Sequence, residues 1–247
     1  MVLDYETLKL IWWLLMGILL IGFALTDGFD MGVGILLPFI GHTDEERRIM
    51  INTVGPHWEG NQVWLVTAGG ALFAAWPLVY AMAFSGFYLA MMLTLFALFL
   101  RPVGFDYRSK LDDSRWRSSW DWGLFIGSFV PPLIFGVAFG NLLLGVPFYF
   151  DEMMRPNYTG GFLQLLNPFA LLAGVVSLLM IVMHGSVWLQ IRTLDSLEWR
   201  ATQVAKASSV ALLIAFALAG LWVSFGIDGY VVSSMPAASS SFTPNMK

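Results

Sequence analysis

The chain has 247 residues, 57% hydrophobic and 12% charged, with a mean hydropathy of +0.71. An ordinary soluble domain carries about 25% charged residues, so this is the composition of a membrane protein. A net charge of −4 leaves no basic surface for nucleic acid, and the lack of cysteine excludes disulfides, thiolate metal sites and a cysteine nucleophile.

A helix needs about 20 apolar residues to cross the hydrocarbon core. On that rule the chain is an all-α integral membrane protein with six transmembrane helices. The N-terminus, MVLDYETLKL, has two acids ahead of its lysine and no small-residue cleavage site, so the first apolar run is expected to be a retained span and not a signal peptide. It extends from about Leu8 towards Pro38 and contains TDGFDMGVG, residues 26–34, with two aspartates inside. Gly60 to Leu100 is an uncharged run of forty-one residues interrupted by Trp76-Pro77. It is expected to form spans two and three as a tight helical hairpin. The fourth span is placed at about Trp122–Leu144 with a kink at Pro131-Pro132, the fifth at about Phe162–Ile191 and the sixth at about Lys206–Ile227. Trp12, Trp13, Trp76, Trp116, Trp120, Trp122, Trp188 and Trp199 fall near span ends, as amphipathic rings do at membrane interfaces. The tail SSMPAASSSFTPNMK has no apolar period and is expected to be disordered or a truncated loop.

The loops after spans one, three and five hold ten basic residues, Arg47, Arg48, Arg101, Arg108, Lys110, Arg115, Arg117, Arg192, Arg200 and Lys206. The other side holds three: Lys9, Arg155 and Lys247. By the positive-inside rule the first group is cytoplasmic and the N-terminus periplasmic.

Asp27 lies nineteen residues after Leu8, about 28 Å along the helix, and so close to the cytoplasmic end of the first span. Asp30 is one turn further; the two share a helix face, continued by Gly34, beside a Gly28-x-x-x-Gly32 step that lets another helix approach closely. The second span enters from the same side with His57-Trp58-Glu59-Gly60-Asn61-Gln62, placing Asp27, Asp30, His57 and Glu59 in one depth band. Carboxylates and an imidazole in a partly wet pocket are what a proton relay requires. The competing reading pairs these acids with Arg47, Arg48 or Arg101 and gives them only a packing role. For His57 alone a local role at the helix N-terminus is favoured.

His184, in the fifth span, invites a reading as a haem ligand, but His42 in a loop and His57 at an interface supply no convincing second ligand. A packing residue or lone proton carrier is the better reading, and no metal site is expected. The sequence contains no phosphate-binding Gly-x-x-x-x-Gly-Lys-Ser/Thr loop, no Gly-x-Ser-x-Gly elbow and no His-Glu-x-x-His pair.

Several segments taken in order are similar to subunit II of the cytochrome bd ubiquinol oxidases: GFALTDGFDMG (22–32), ERRIMIN (46–52), PHWEGNQVWL (56–65), AGGALFAAWP (68–77), RPVGFDYRSK (101–110), GSFVPP (127–132) and QLLNPF (164–169). The resemblance runs to about Tyr230. It implies a terminal oxidase of aerobic respiration in a bacterial inner membrane, oxidising ubiquinol and reducing oxygen with cytoplasmic protons. In that family haem b and haem d belong to the partner subunit I, so this chain is expected to bind no cofactor and to hold no catalytic residue. Its expected part is to support subunit I and to line a proton-entry path with Asp27, Asp30 and Glu59, with His57 and Arg101 supporting. Small accessory subunits, lipid and quinone are further expected partners.

Two features depart from the family pattern. Glu59 stands where aspartate is common, which keeps the acid and lengthens its reach. The family has about eight spans in two four-helix bundles, so residues 1–145 are expected to form the first bundle, 146–228 two helices of an incomplete second, and 229–247 a polar tail or truncated periplasmic loop. The alternative function is a proton-coupled transporter using the same acids, which predicts an internal repeat that the sequence does not display.

Overall fold

The computed structural model describes residues 4–153 and 155–228; the tail expected at 229–247 lies outside them. The architecture is almost wholly helical: α1 (Tyr5–Ile40), α2 (Asp44–Val54), α3 (Trp58–Ala75), α4 (Pro77–Gly86), α5 (Tyr88–Tyr107) and α6 (Ser114–Leu144) are followed by a short antiparallel hairpin of β1 (Phe148–Phe150) and β2 (Pro156–Tyr158), a 3-10 turn (Phe162–Leu166), α7 (Pro168–Arg192) and α8 (Asp195–Gly226). Among the described residues five helices, α1, α5, α6, α7 and α8, are long and apolar enough to cross a membrane. The expected second span, α3, has 18 residues but opens on Glu59, Asn61 and Gln62, and it is not among those five. The chain is a multi-pass membrane protein.

The Trp76-Pro77 break is present, with Pro77 at the start of α4, where its missing N–H would find no helical partner in any case. A second break at Phe87 separates α4 from α5. The expected tight hairpin is therefore three helices: α3 packs on α1, α5 on α6, and α4 lies beside β2. Gly22 of α1 receives Trp64 of α3 and Gly127 of α6 receives Arg101 of α5, so α3 and α5 are each drawn to a different partner. Pro131 and Pro132, by contrast, lie inside one unbroken helix, α6. The fifth span begins at Pro168, where Asn167 caps α7 by accepting from the Ala170 N–H at 2.8 Å.

Within α1 every buried residue lies from Phe23 onward, so the first half is exposed and the second half is the centre of the molecule. There α1 meets α3, α6 and α7. Helices in lipid gain little from hydrophobic burial, and small residues that let backbones touch set their crossings. Gly32 and Gly185 form the α1–α7 crossing: a Cβ on Gly32 would lie 2.3 Å from the Ile181 carbonyl oxygen and 2.7 Å from Gly185 Cα. Gly34 makes the same kind of contact with Ser128 of α6, and Gly22 carries the Trp64 indole of α3.

Helix α2 is a separate element that the span rule does not predict. Its sequence signal is a capping box: Glu46 N–H donates to Thr43 Oγ1 at 3.2 Å while the Thr43 N–H donates to Glu46 Oε2 at 3.3 Å. Met50 and Val54 plug it onto Leu36, Leu37 and Ile40 of α1, with Leu124, Leu189 and Leu197 from α6, α7 and α8 completing that cluster.

Candidate functional site

The two aspartates of α1 are three residues apart, about 300° around the helix, and the packing above assigns them different neighbours. Asp27 faces α5. Arg101 donates to both of its oxygens, Nη1 to Oδ2 at 2.8 Å and Nη2 to Oδ1 at 2.6 Å, and both side chains are wholly buried. Arg101 reaches this position because α6 presents Gly127 to α5, where a Cβ would lie 3.0 Å from Arg101 Cγ and 2.8 Å from the Ala97 carbonyl. The result is a bidentate, charge-assisted pair.

Asp30 faces α3. Asn61 Nδ2 donates to Asp30 Oδ2 at 2.8 Å, while Asp30 Oδ1 is buried and has no hydrogen-bond partner. His57, one turn before Asn61, points its Nδ1 at Oδ1 across 3.8 Å and lies 3.4 Å from Asn61 Nδ2. Its side chain is 38% exposed, so the ring connects the buried carboxylate to the surface.

Around His57 the walls are aromatic. Phe29 stacks on Trp188 at 4.1 Å, and His57 meets both rings edge-on at 5.6 Å. Arg192 sits 4.6 Å over the Trp188 ring. Trp188 is thus part of this wall and not only of an interfacial belt. His184 packs on the same cluster, 5.7 Å from Phe29 and against Gly28, where a Cβ would lie 3.3 Å from His184 Nδ1. No group of three His, Asp or Glu able to hold a metal ion occurs among the described residues.

The expected group of four acids and imidazole is therefore divided. Asp30 meets His57, Asp27 meets Arg101, and Glu59 is exposed and joins neither. Glu59 is two residues from His57, about 200° around α3, so the same helix cannot turn both towards α1. Of the arginines considered as partners, Arg101 is the one that pairs with an α1 acid. Arg47 instead joins Asp121 at 2.9 Å.

That Asp121 contact belongs to a belt of ion pairs at the α2 end of the bundle. Asp121 of α6, buried, also accepts from Arg108 Nε at 2.5 Å; Arg108 reaches Asp44 at 2.7 Å, and Arg117 joins Asp44 to Asp112. Glu46 accepts from Arg200 at 2.5 Å, tying α2 to α8. The hydrogen bond from Arg200 holds the Glu46 carboxyl down at about 2, with the His42 and Thr43 N–H groups adding to it. Neither this belt nor the role of Asn61 emerged from sequence patterns. Asn61 had a weak signal, since it stands four residues from His57 and shares its helix face.

Residues 8–244 match the sequence family described as cytochrome bd terminal oxidase subunit II. The chain is 67% identical over 231 residues to cytochrome bd-I ubiquinol oxidase subunit 2 of Escherichia coli K12, covering 94% of this chain and 61% of that protein. It is 64% identical over the same length to a probable cytochrome oxidase subunit 2 of Haemophilus influenzae, and 39% identical over 212 residues to cytochrome bd ubiquinol oxidase subunit 2 of Bacillus subtilis, which it covers to 62%. The chain thus spans about three fifths of the length of the curated relatives it matches. Among solved structures, a chain of the bd oxidase from Geobacillus thermodenitrificans superposes with a TM-score of 0.71 at 12% identity, over 88% of this chain and 56% of that one, a likeness of fold.

Proposed function

The chain belongs to the cytochrome bd terminal oxidase subunit II family, and from that premise we propose that it serves as the second subunit of a membrane-bound quinol:oxygen oxidoreductase in a bacterial inner membrane. Its partner is a haem-bearing subunit I, which carries haem b and haem d and the chemistry of ubiquinol oxidation and oxygen reduction. This chain supports that partner and lines a route by which protons enter from the cytoplasm.

The observation that carries the proton role is a buried carboxylate, Asp30, joined to a partly exposed imidazole at the end of the bundle where α2 and its ion pairs lie. The ten-to-three distribution of basic residues supports a cytoplasmic assignment for that end. Asp27, Asp30 and Glu59 line the route, with Glu59 exposed in the first turn of α3 at its mouth, and His57 and Arg101 support it. The domain division follows the same reading: residues 1–145 make one unit, α1 to α6, and residues 146–228 supply two further long helices, α7 and α8.

Purification of the chain with the haem-bearing subunit tests this. A complex with haem-d absorbance and quinol-dependent oxygen uptake is expected; a complex with neither overturns the assignment.

A further inference from the structure

At the end of the bundle away from α2, the connections form a layer that does not cross the membrane. Arg108 and Asp121 place one end of α5 and of α6 in the ion-pair belt, so Tyr88 and Leu144 lie at the far end, where α4 and the β1–β2 hairpin pack on one another. Helix α4 has ten residues and no charge, about 15 Å of helix against a hydrocarbon core of about 30 Å, which is the length of an interfacial segment. The hairpin is tethered to the same level: Phe148 follows the end of α6 by four residues, at most about 14 Å of chain.

The pairing register gives the hairpin two unlike faces. Phe148 lies opposite Tyr158 and Phe150 opposite Pro156, so these four share one face. Tyr149 and Asn157 share the other, which the Asp151–Arg155 ion pair continues at the turn. Tyr158 turns the apolar face towards the bundle, since a Cβ on Gly86 of α4 would lie 3.5 Å from its ring. Phe148 and Phe150, edge to face at 5.7 Å, carry that face beyond the protein and are 50% and 36% exposed. An amphipathic element whose apolar face overhangs the bundle at the membrane boundary meets lipid, where aromatic rings settle at headgroup depth.

We propose that the β1–β2 hairpin is a membrane-surface anchor: Phe148 and Phe150 insert into the phospholipid headgroup boundary on the side away from α2, while Tyr149 and the Asp151–Arg155 turn stay in water. Tyr158, resting on α4, ties this lipid contact to the helices. The anchor is separate from the proton route and does not rest on it.

The chain has no cysteine, so a thiol placed in the hairpin takes a spin label at one site. Phe148→Cys, Tyr149→Cys, Phe150→Cys and Met153→Cys are each assembled with the haem-bearing subunit in vesicles of phosphatidylethanolamine and phosphatidylglycerol. The labelled parental complex is subtracted to remove any signal from the partner. Collisions of the label with oxygen, which concentrates in lipid, are compared with collisions with a water-soluble nickel chelate, in the absence of quinol. The oxygen-to-nickel ratio is expected to be high at 148 and 150 and low at 149 and 153. A ratio at 148 and 150 as low as at 153 overturns the proposal, because the hairpin then stands in water. Immobile labels at 148 and 150 shielded from both reagents overturn it as well, because a protein surface then covers them. A second measurement leaves the hairpin unaltered: in the parental complex, phospholipid carrying a diazirine near its headgroup is expected to leave adducts on Phe148 or Phe150 after illumination, and adducts confined to the long helices overturn the anchor.

Discussion

Asp27 and Asp30 carry the same side chain, lie three residues apart on one helix and are both buried, yet one has both oxygens closed by Arg101 and the other has one oxygen held by Asn61 and one left open. Equal burial on one helix therefore does not give two acids equal surroundings; the neighbouring helix decides them. A guanidinium closes both oxygens of Asp27, whereas an amide holds one oxygen of Asp30 and leaves the second without a hydrogen-bond partner.

The contrast is sharpest in the response to neutralising each acid. Asp27→Asn is expected to destabilise the fold by about 3–5 kcal/mol, because Arg101 is left buried without its anion. Thermal unfolding in detergent measures this, and replacing both partners together, Asp27→Leu with Arg101→Met, is expected to recover most of the loss. Asp30→Asn is expected to change stability by less than about 1 kcal/mol, since an amide still bonds Asn61 and no cation is stranded.

A smaller effect follows from moving the helix that carries both acids. Gly32→Ala places a methyl against the backbone of α7 at Gly185, and an overpacked crossing of this kind costs about 1–3 kcal/mol. Both acids shift together, so unfolding and Asp30-dependent turnover are expected to be impaired in the same variant. Asn61→Ala removes one hydrogen bond to a carboxylate and is expected to cost about 1–2 kcal/mol. Its diagnostic is that haem content in the assembled complex stays at the parental level while turnover falls.

The smallest effect lies outside the bundle, at a pair in contact with water. Glu46 has an ordinary value of 4.5 lowered to about 2 in the folded chain, chiefly by the Arg200 hydrogen bond. A folded value below the unfolded one means that the stabilisation is fully present above pH 4.5 and is lost as the pH falls towards 2. For a partly exposed pair it amounts to less than about 1 kcal/mol. Comparing the unfolding of the parent and Glu46→Gln across this range checks it: the two curves are expected to converge at the acid end.

Much of the architecture was legible because lipid imposes simple rules. Apolar length located α1 within a few residues at both ends and overlapped α5, α6, α7 and α8, whose starts lie about six to eleven residues from the expected ones, and the Gly28–Gly32 step foretold a close crossing that the Gly32–Gly185 contact realises. Arg101 was named as a supporting residue and lies against Asp27. The arginine belt depends on which surfaces meet, and a hydropathy profile carries no information about partners, whereas α2 has a local signal in its Thr43 and Glu46 capping box that a search for apolar length passes over. Glu59 and His57 lie two residues apart at the start of α3, and only His57 approaches an acid of α1. Their separation follows from helical rotation, which turns residues two apart to opposite sides.

The sequence by itself determined that this chain lives in a membrane, that it is built of apolar helices, which family it resembles and that Asp27 and Asp30 lie inside the first of those helices, because each follows from local composition and motif order. Only the tertiary structure decided that Asp27 belongs to Arg101 and Asp30 to Asn61 and His57. Those partners come from helices α5 and α3, seventy-four and about thirty residues away, brought in by glycine seams whose contacts exist only once the helices have packed.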